Sequence, residues 1–110
     1  MADVTLKQND TWPPLAFTLM DQNGPVDLTT ATSIKIVMKG ATVTVTGTCT
    51  KNADQVTNKG KGTYTFLASD TSVIGAYDLE FEVNWGGSPA KIQTFPNDGY
   101  LSLVIVDDLG

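Results

Sequence analysis

The 110 residues suit one domain and are too few for two. Seven Lys and Arg stand against twelve Asp and Glu, a net charge of −5, which argues against the basic face that nucleic acid or an anionic membrane requires. Charged residues make up only 17% and hydrophobic ones 41%, a balance that fits neither disorder nor a coiled coil, but rather a β domain coated with Thr, Ser, Asn and Gln.

At the N-terminus, Met1-Ala2-Asp3-Val4 carries no basic stretch leading into an apolar one, so no signal peptide is read there. No apolar run approaches the roughly 20 residues that span a bilayer. The chain is therefore expected to be made in the cytoplasm and to stay soluble. Val4 and Leu6 begin a short strand that stops at Trp12-Pro13-Pro14. Two prolines donate no ladder hydrogen bonds, so they mark an edge or a crossing between sheets.

Leu15, Phe17 and Leu19 then alternate up to Asp21-Gln22-Asn23-Gly24. That tetrapeptide holds a fragment of a calcium loop without its alternate oxygen ligands and closing Glu, and Asn-Gly is a tight turn in its own right. Ile34, Ile36 and Met38 alternate before Lys39-Gly40, and Val43 and Val45 beyond it. Cys49, the single cysteine, sits in a Val/Thr pattern where a small buried residue is expected; no intrachain disulfide is possible. Tyr64 and Phe66 follow a turn at Gly60-Lys61-Gly62.

From Tyr77 to Trp85 the chain reads Tyr-Asp-Leu-Glu-Phe-Glu-Val-Asn-Trp. Every odd position is large and apolar and every even one polar, which is the pattern of a strand with one buried face. Gly86-Gly87-Ser88-Pro89 connects it to Ala90-Lys91-Ile92-Gln93-Thr94. Placing Trp85 opposite Ala90 sets Val83 against Ile92 in the core and Asn84 beside Lys91 outside. Leu101, Leu103 and Ile105 alternate after Pro96-Asn97-Asp98-Gly99.

The pattern predicts an all-β antiparallel domain of about seven to nine strands, with no helix longer than a turn. Its expected core is Phe17, Leu19, Ile34, Ile36, Tyr77, Leu79, Phe81, Val83, Trp85, Ile92, Leu103 and Ile105, with Phe81 at the centre.

Chemistry is sparse. The chain has no histidine, which removes Ser-His-Asp and Cys-His arrangements, and Cys49 alone makes no zinc site. Asp78, Glu80 and Glu82 share one strand face about 7 Å apart. They alternate with core residues and so project from a sheet into water, where solubility and protection against edge pairing explain them. No enzyme, cofactor or metal is expected. Trp12, outside any alternation beside two prolines, is read either as an exposed binding anchor or as a plug over the end of a sandwich. Tyr100 is the other candidate for interaction.

The run Asn9-Asp10-Thr11-Trp12-Pro13-Pro14-Leu15-Ala16-Phe17-Thr18-Leu19, continued by Asp21-Gln22-Asn23-Gly24-Pro25-Val26-Asp27-Leu28-Thr29, resembles the opening of the N-terminal domain of phage baseplate upper proteins and related tail proteins. So do Asp70-Thr71, Gly75-Ala76-Tyr77-Asp78-Leu79-Glu80-Phe81-Glu82-Val83 and Thr94-Phe95-Pro96-Asn97-Asp98-Gly99-Tyr100. The match is weakest between Ala41 and Thr63. The resemblance implies an immunoglobulin-like β-sandwich built into the virion as a tail or baseplate component. Its expected partners are other tail or baseplate proteins in a symmetric multi-copy assembly, with no catalytic residues. Relatives in that family often carry a trimerising or receptor-binding part after this domain, and nothing follows Gly110 here. A small adaptor, baseplate or decoration protein is therefore expected.

Two other functions remain open from the residues. One is a host-surface carbohydrate or receptor-binding module, for which Trp12, Tyr100 and Tyr64 are the aromatic candidates. The other is an intracellular binder of a host protein.

Overall fold

The computed structural model describes residues 4–95 and 101–107. Alternation becomes strand throughout these residues. The strands are β1 (Val4–Lys7), β2 (Leu15–Thr18), β3 (Met20–Asp21), β4 (Gly24–Pro25), β5 (Ser33–Lys39), β6 (Thr44–Thr48), β7 (Thr50–Lys51), β8 (Lys61–Tyr64), β9 (Gly75–Asn84), β10 (Ile92–Phe95) and β11 (Leu101–Val106). The one helical piece described is a four-residue 3-10 turn, Ala68–Thr71. The fold is all-β, with more and shorter strands than the pattern suggested. Three of them are two-residue arms, and Lys61 and Gly62 belong to β8 rather than to a turn.

The larger sheet runs β1-β11-β9-β5-β6, and β10 extends it by pairing with the far half of β9. The smaller sheet is β2-β8-β7, and β3 with β4 forms a separate hairpin. Among the described residues all the pairings are antiparallel except one: β1 lies parallel to β11, Val4 beside Leu103 and Lys7 beside Val106. The larger sheet is thus mixed, where a purely antiparallel one was expected. A strand from one end of the chain has joined the strand from the other, and alternation within either segment carries no information about direction.

β9 is the centre of the larger sheet. Its inward side chains Tyr77, Leu79, Phe81 and Val83 are buried, and Ile34, Ile36 and Met38 of β5 lie opposite Val83, Phe81 and Leu79. Phe17 of β2 meets Phe81 with ring centroids 4.5 Å apart and planes tilted by 35°, so the two sheets share one core. Leu19, Leu103 and Ile105 are buried in the same cluster. Trp85 is only partly buried at its rim, and its Nε1 donates to Gln93 Oε1 at 3.0 Å.

Ile92 is not in the core. It stands opposite Asn84 and is 55% exposed, while Gln93 faces Val83 and Phe95 faces Phe81. The expected register is off by one residue, which turns every side chain of β10 to the other face. The cause lies at both ends of the strand. The connection takes one residue more than its turn signals suggest, because Trp85 N bonds to Lys91 O rather than to Ala90. Gly86 and Gly87 supply the positive φ angles, 85° and 100°, that allow it. At the far end, the slip buries Phe95 against Phe81, a larger apolar surface than Ile92 offers.

Two polar side chains tie the loops to this frame. Lys51 Nζ donates to the carbonyls of Leu28, Thr29 and Ala31 at 2.8–3.0 Å. Buried Gln55 accepts from Leu28 N and Gly60 N and donates to Asn52 O. Between β6 and β7 the chain passes from the larger sheet to the smaller at Cys49, whose N–H bonds to Ile34 O at 2.8 Å.

Candidate interaction surface

Two segments that expose apolar side chains are fastened to each other through their backbone. After β1 the chain continues as Gln8-Asn9-Asp10. Gln8 N donates to Val106 O at 2.8 Å and Asn9 N to Thr71 O at 2.9 Å. Gln8 Nε2 donates to Ser72 O at 2.8 Å, and Thr71 Oγ1 returns a bond to Asp10 O at 2.9 Å. Asn9 takes a left-handed φ of 66° to make this bend, a conformation that Asn tolerates better than most residues.

The segment is thereby fastened to the connection between β8 and β9, which carries Leu67, Val73 and Ile74, all exposed. Trp12 follows two residues after Asp10 and is 73% exposed. Of the two readings of Trp12, the plug is ruled out and the exposed aromatic stands. Leu67, Val73 and Ile74 had no signal in the alternation, since they fall between strands. An apolar Val73-Ile74 pair directly before a glycine was the hint available.

The connection itself is organised by Asp70. Its Oδ2 accepts from Tyr64 OH at 2.5 Å and from Leu67 N at 2.8 Å, and both Asp70 and Tyr64 are buried. Burial, with the adjacent Asp70 carboxylate, raises the Tyr64 phenol above its ordinary range. Tyr64 therefore offers no ring face for a ligand, which removes it from the stacking candidates. Tyr77 OH donates to Val73 O at 2.6 Å, fixing the exposed Val73-Ile74 pair to the start of β9. Tyr100 lies outside the described residues.

The carboxylates of β9 line the outer face of the larger sheet, as alternation requires. Asp78 is opposite Lys39, Glu80 opposite Val37 and Glu82 opposite Lys35, with Lys35 Nζ 3.5 Å from Glu82 Oε1. Both side chains of that pair are substantially exposed, where such contacts contribute little. The three carboxylates thus stand on the sheet's outer face, two of them opposite lysines and Glu80 opposite Val37.

Cys49 is buried, and desolvation pushes its thiol from 9.0 up to about 12, so it is held as an unreactive thiol. Asp21 Oδ1 accepts from Asn23 N at 2.8 Å, and Gly24 takes φ 106°, which makes the Asp21–Gly24 segment a hairpin turn between β3 and β4. Among the described residues no three metal-ligating side chains come together. No family model matches the chain, and no curated protein matches it.

Proposed function

We propose that this chain is an immunoglobulin-like structural module of a phage tail or baseplate, acting through protein–protein contacts. The observation that carries the proposal is Trp12, a large aromatic left 73% exposed, in a segment whose preceding residues Gln8, Asn9 and Asp10 are held by cross-loop hydrogen bonds to a connection that itself exposes Leu67, Val73 and Ile74. Aromatic anchors on preorganised backbone are what protein interfaces use.

Three further features favour the immunoglobulin-like description. The order β2-β8-β7 facing β11-β9-β5-β6 has the pattern of the B-E-D and G-F-C-C′ sheets of that fold. Tyr77, near the start of β9, which takes the place of F in that scheme, bonds back to a carbonyl four residues upstream, as the tyrosine corner of such domains does. The inter-sheet contact of Phe17 with Phe81 joins the two strands that carry the disulfide in antibody domains. The sequence resemblance supplies the virion setting, with neighbouring tail or baseplate proteins as partners.

The test is mass spectrometry and cryo-electron microscopy of the phage that carries this gene. The expected result is a β-domain of this size in the tail or baseplate, lost from particles in Trp12→Ala while the purified variant melts as the wild type does. Absence from every particle would overturn the proposal. The exposure of Trp12 also favours a second reading, stacking on a host-surface sugar. Binding of the purified protein to host cell-wall polysaccharide, abolished by Trp12→Ala, would select that reading instead.

A further inference from the structure

The free side of β6 is the least guarded edge of the molecule. β6 ends the larger sheet and is bonded only to β5 among the described residues. A bare edge is a template for another strand, and proteins ordinarily blunt it with charge, proline, a bulge or extreme shortness. The other edges have such devices: β2 follows Pro13-Pro14, β1 ends on Lys7, and β7 is two residues long. β10 has four residues between Pro89 and Pro96. From Ala41 to Thr50, by contrast, there is neither a charge nor a proline, and Thr alternates with Val, both strong strand formers.

We propose that β6 pairs antiparallel with β6 of a second copy of this chain, across a two-fold axis near Thr46, joining two larger sheets into one. The strand is complementary to itself. In a register centred on Thr46, Thr44 of one copy faces Thr48 of the other on the outer face, and Val45 faces Gly47 on the inner face. Threonine pairs on one face, and a valine over a glycine on the other, pair without clash.

Charge does not close the seam to this occupant. Two copies of net charge −5 repel, but the seam is neutral, and the nearest charges on the outer face are Lys39 and Lys35, opposite Thr44 and Thr48. The strand is also preorganised: the Tyr64 ring fills the space where a Cβ at Gly47 would stand, so β6 lies tight on the core. The pairing rests on strand order and edge chemistry, independently of the virion reading.

Sedimentation equilibrium of the full chain at concentrations up to about 1 mM tests it. The wild type is expected to reach a dimer. Thr44→Glu/Thr48→Glu sets carboxylates opposite each other across the seam, while each gains a lysine neighbour on its own β5. Its dissociation constant is expected to rise about tenfold or more. Thr44→Glu/Thr48→Lys sets opposite charges together and is expected to stay dimeric.

A wild type that is monomeric throughout, or a dimer indifferent to the first variant, overturns the proposal. Equal weakening by both variants overturns the register and the proposal with it. Should either variant melt early, amide exchange of the wild type decides. Protection over Thr44–Thr48 that rises with concentration supports the pairing, and protection independent of concentration overturns it. A monomer found in virions would leave the assembly reading standing, and a dimer absent from them would leave this one.

Discussion

Phe81 is the side chain on which both sheets converge. It is fully buried between Phe17 of the smaller sheet and Phe95 and Ile36 of the larger. Phe81→Ala is expected to lower unfolding free energy by about 3–5 kcal/mol, read from the denaturant midpoint. An unchanged midpoint would mean that the cavity collapses or that the ring is not central. Tyr77 tests a single polar group. Tyr77→Phe keeps the buried ring but removes the bond to Val73 O, at a cost of about 0.5–1.5 kcal/mol, and it should raise amide exchange in the 72–75 segment. Phe81 and Tyr77 were legible in the sequence because strict alternation sorts faces without knowing any partner. Gln55 and Asp70 were not: a buried polar residue is defined by the backbone groups that converge on it, and these come from distant loops.

At the scale of the element, β8 shows how closely the smaller sheet is fitted. A Cβ on Gly62 would lie 2.6 Å from Phe17 Cζ and 2.8 Å from the Thr50 carbonyl oxygen. Gly62→Ala is therefore expected to destabilise the protein by about 1–3 kcal/mol, measured as a fall in melting temperature. The sequence marks Gly62 as turn because glycine usually punctuates, yet here it sits in the middle strand of a sheet where a ring crosses it. The same limit explains β10. Alternation established that the strand existed and that one face was apolar. Its register was decided by Phe95 and by a loop one residue longer than its turn signals implied. Strand order, and the parallel β1–β11 pair with it, depends on segments about a hundred residues apart and leaves no local trace. Trp12 was visible as an aromatic out of phase, whereas the exposure of Leu67, Val73 and Ile74, which lie between strands, left no periodic signal.

For the whole molecule, proton linkage predicts a loss of stability at alkaline pH. Burial lifts the Cys49 thiol from 9.0 to about 12 and also raises the Tyr64 phenol. Between those values the folded chain binds a proton that the unfolded chain has released, so stability is full below pH about 9 and falls as pH rises toward 12. In Cys49→Ala the decline is expected to be shallower, as measured by denaturant unfolding from pH 8 to 11; an identical slope would assign the loss to the tyrosines. The parallel pairing of β1 with β11 has a mechanical consequence. The chain enters that pair at Val4 and leaves it at Val106, at opposite ends of two strands running the same way. Tension between the two flanks therefore acts along the strands and loads their cross-links side by side, like a lap joint in shear. The β5–β6 hairpin, pulled at its open end at Lys35 and Thr48, would instead peel one bond at a time. Optical-tweezer handles before Val4 and after Val106 are expected to register a higher rupture force than handles on that hairpin, making the terminal strands a clamp against stretching.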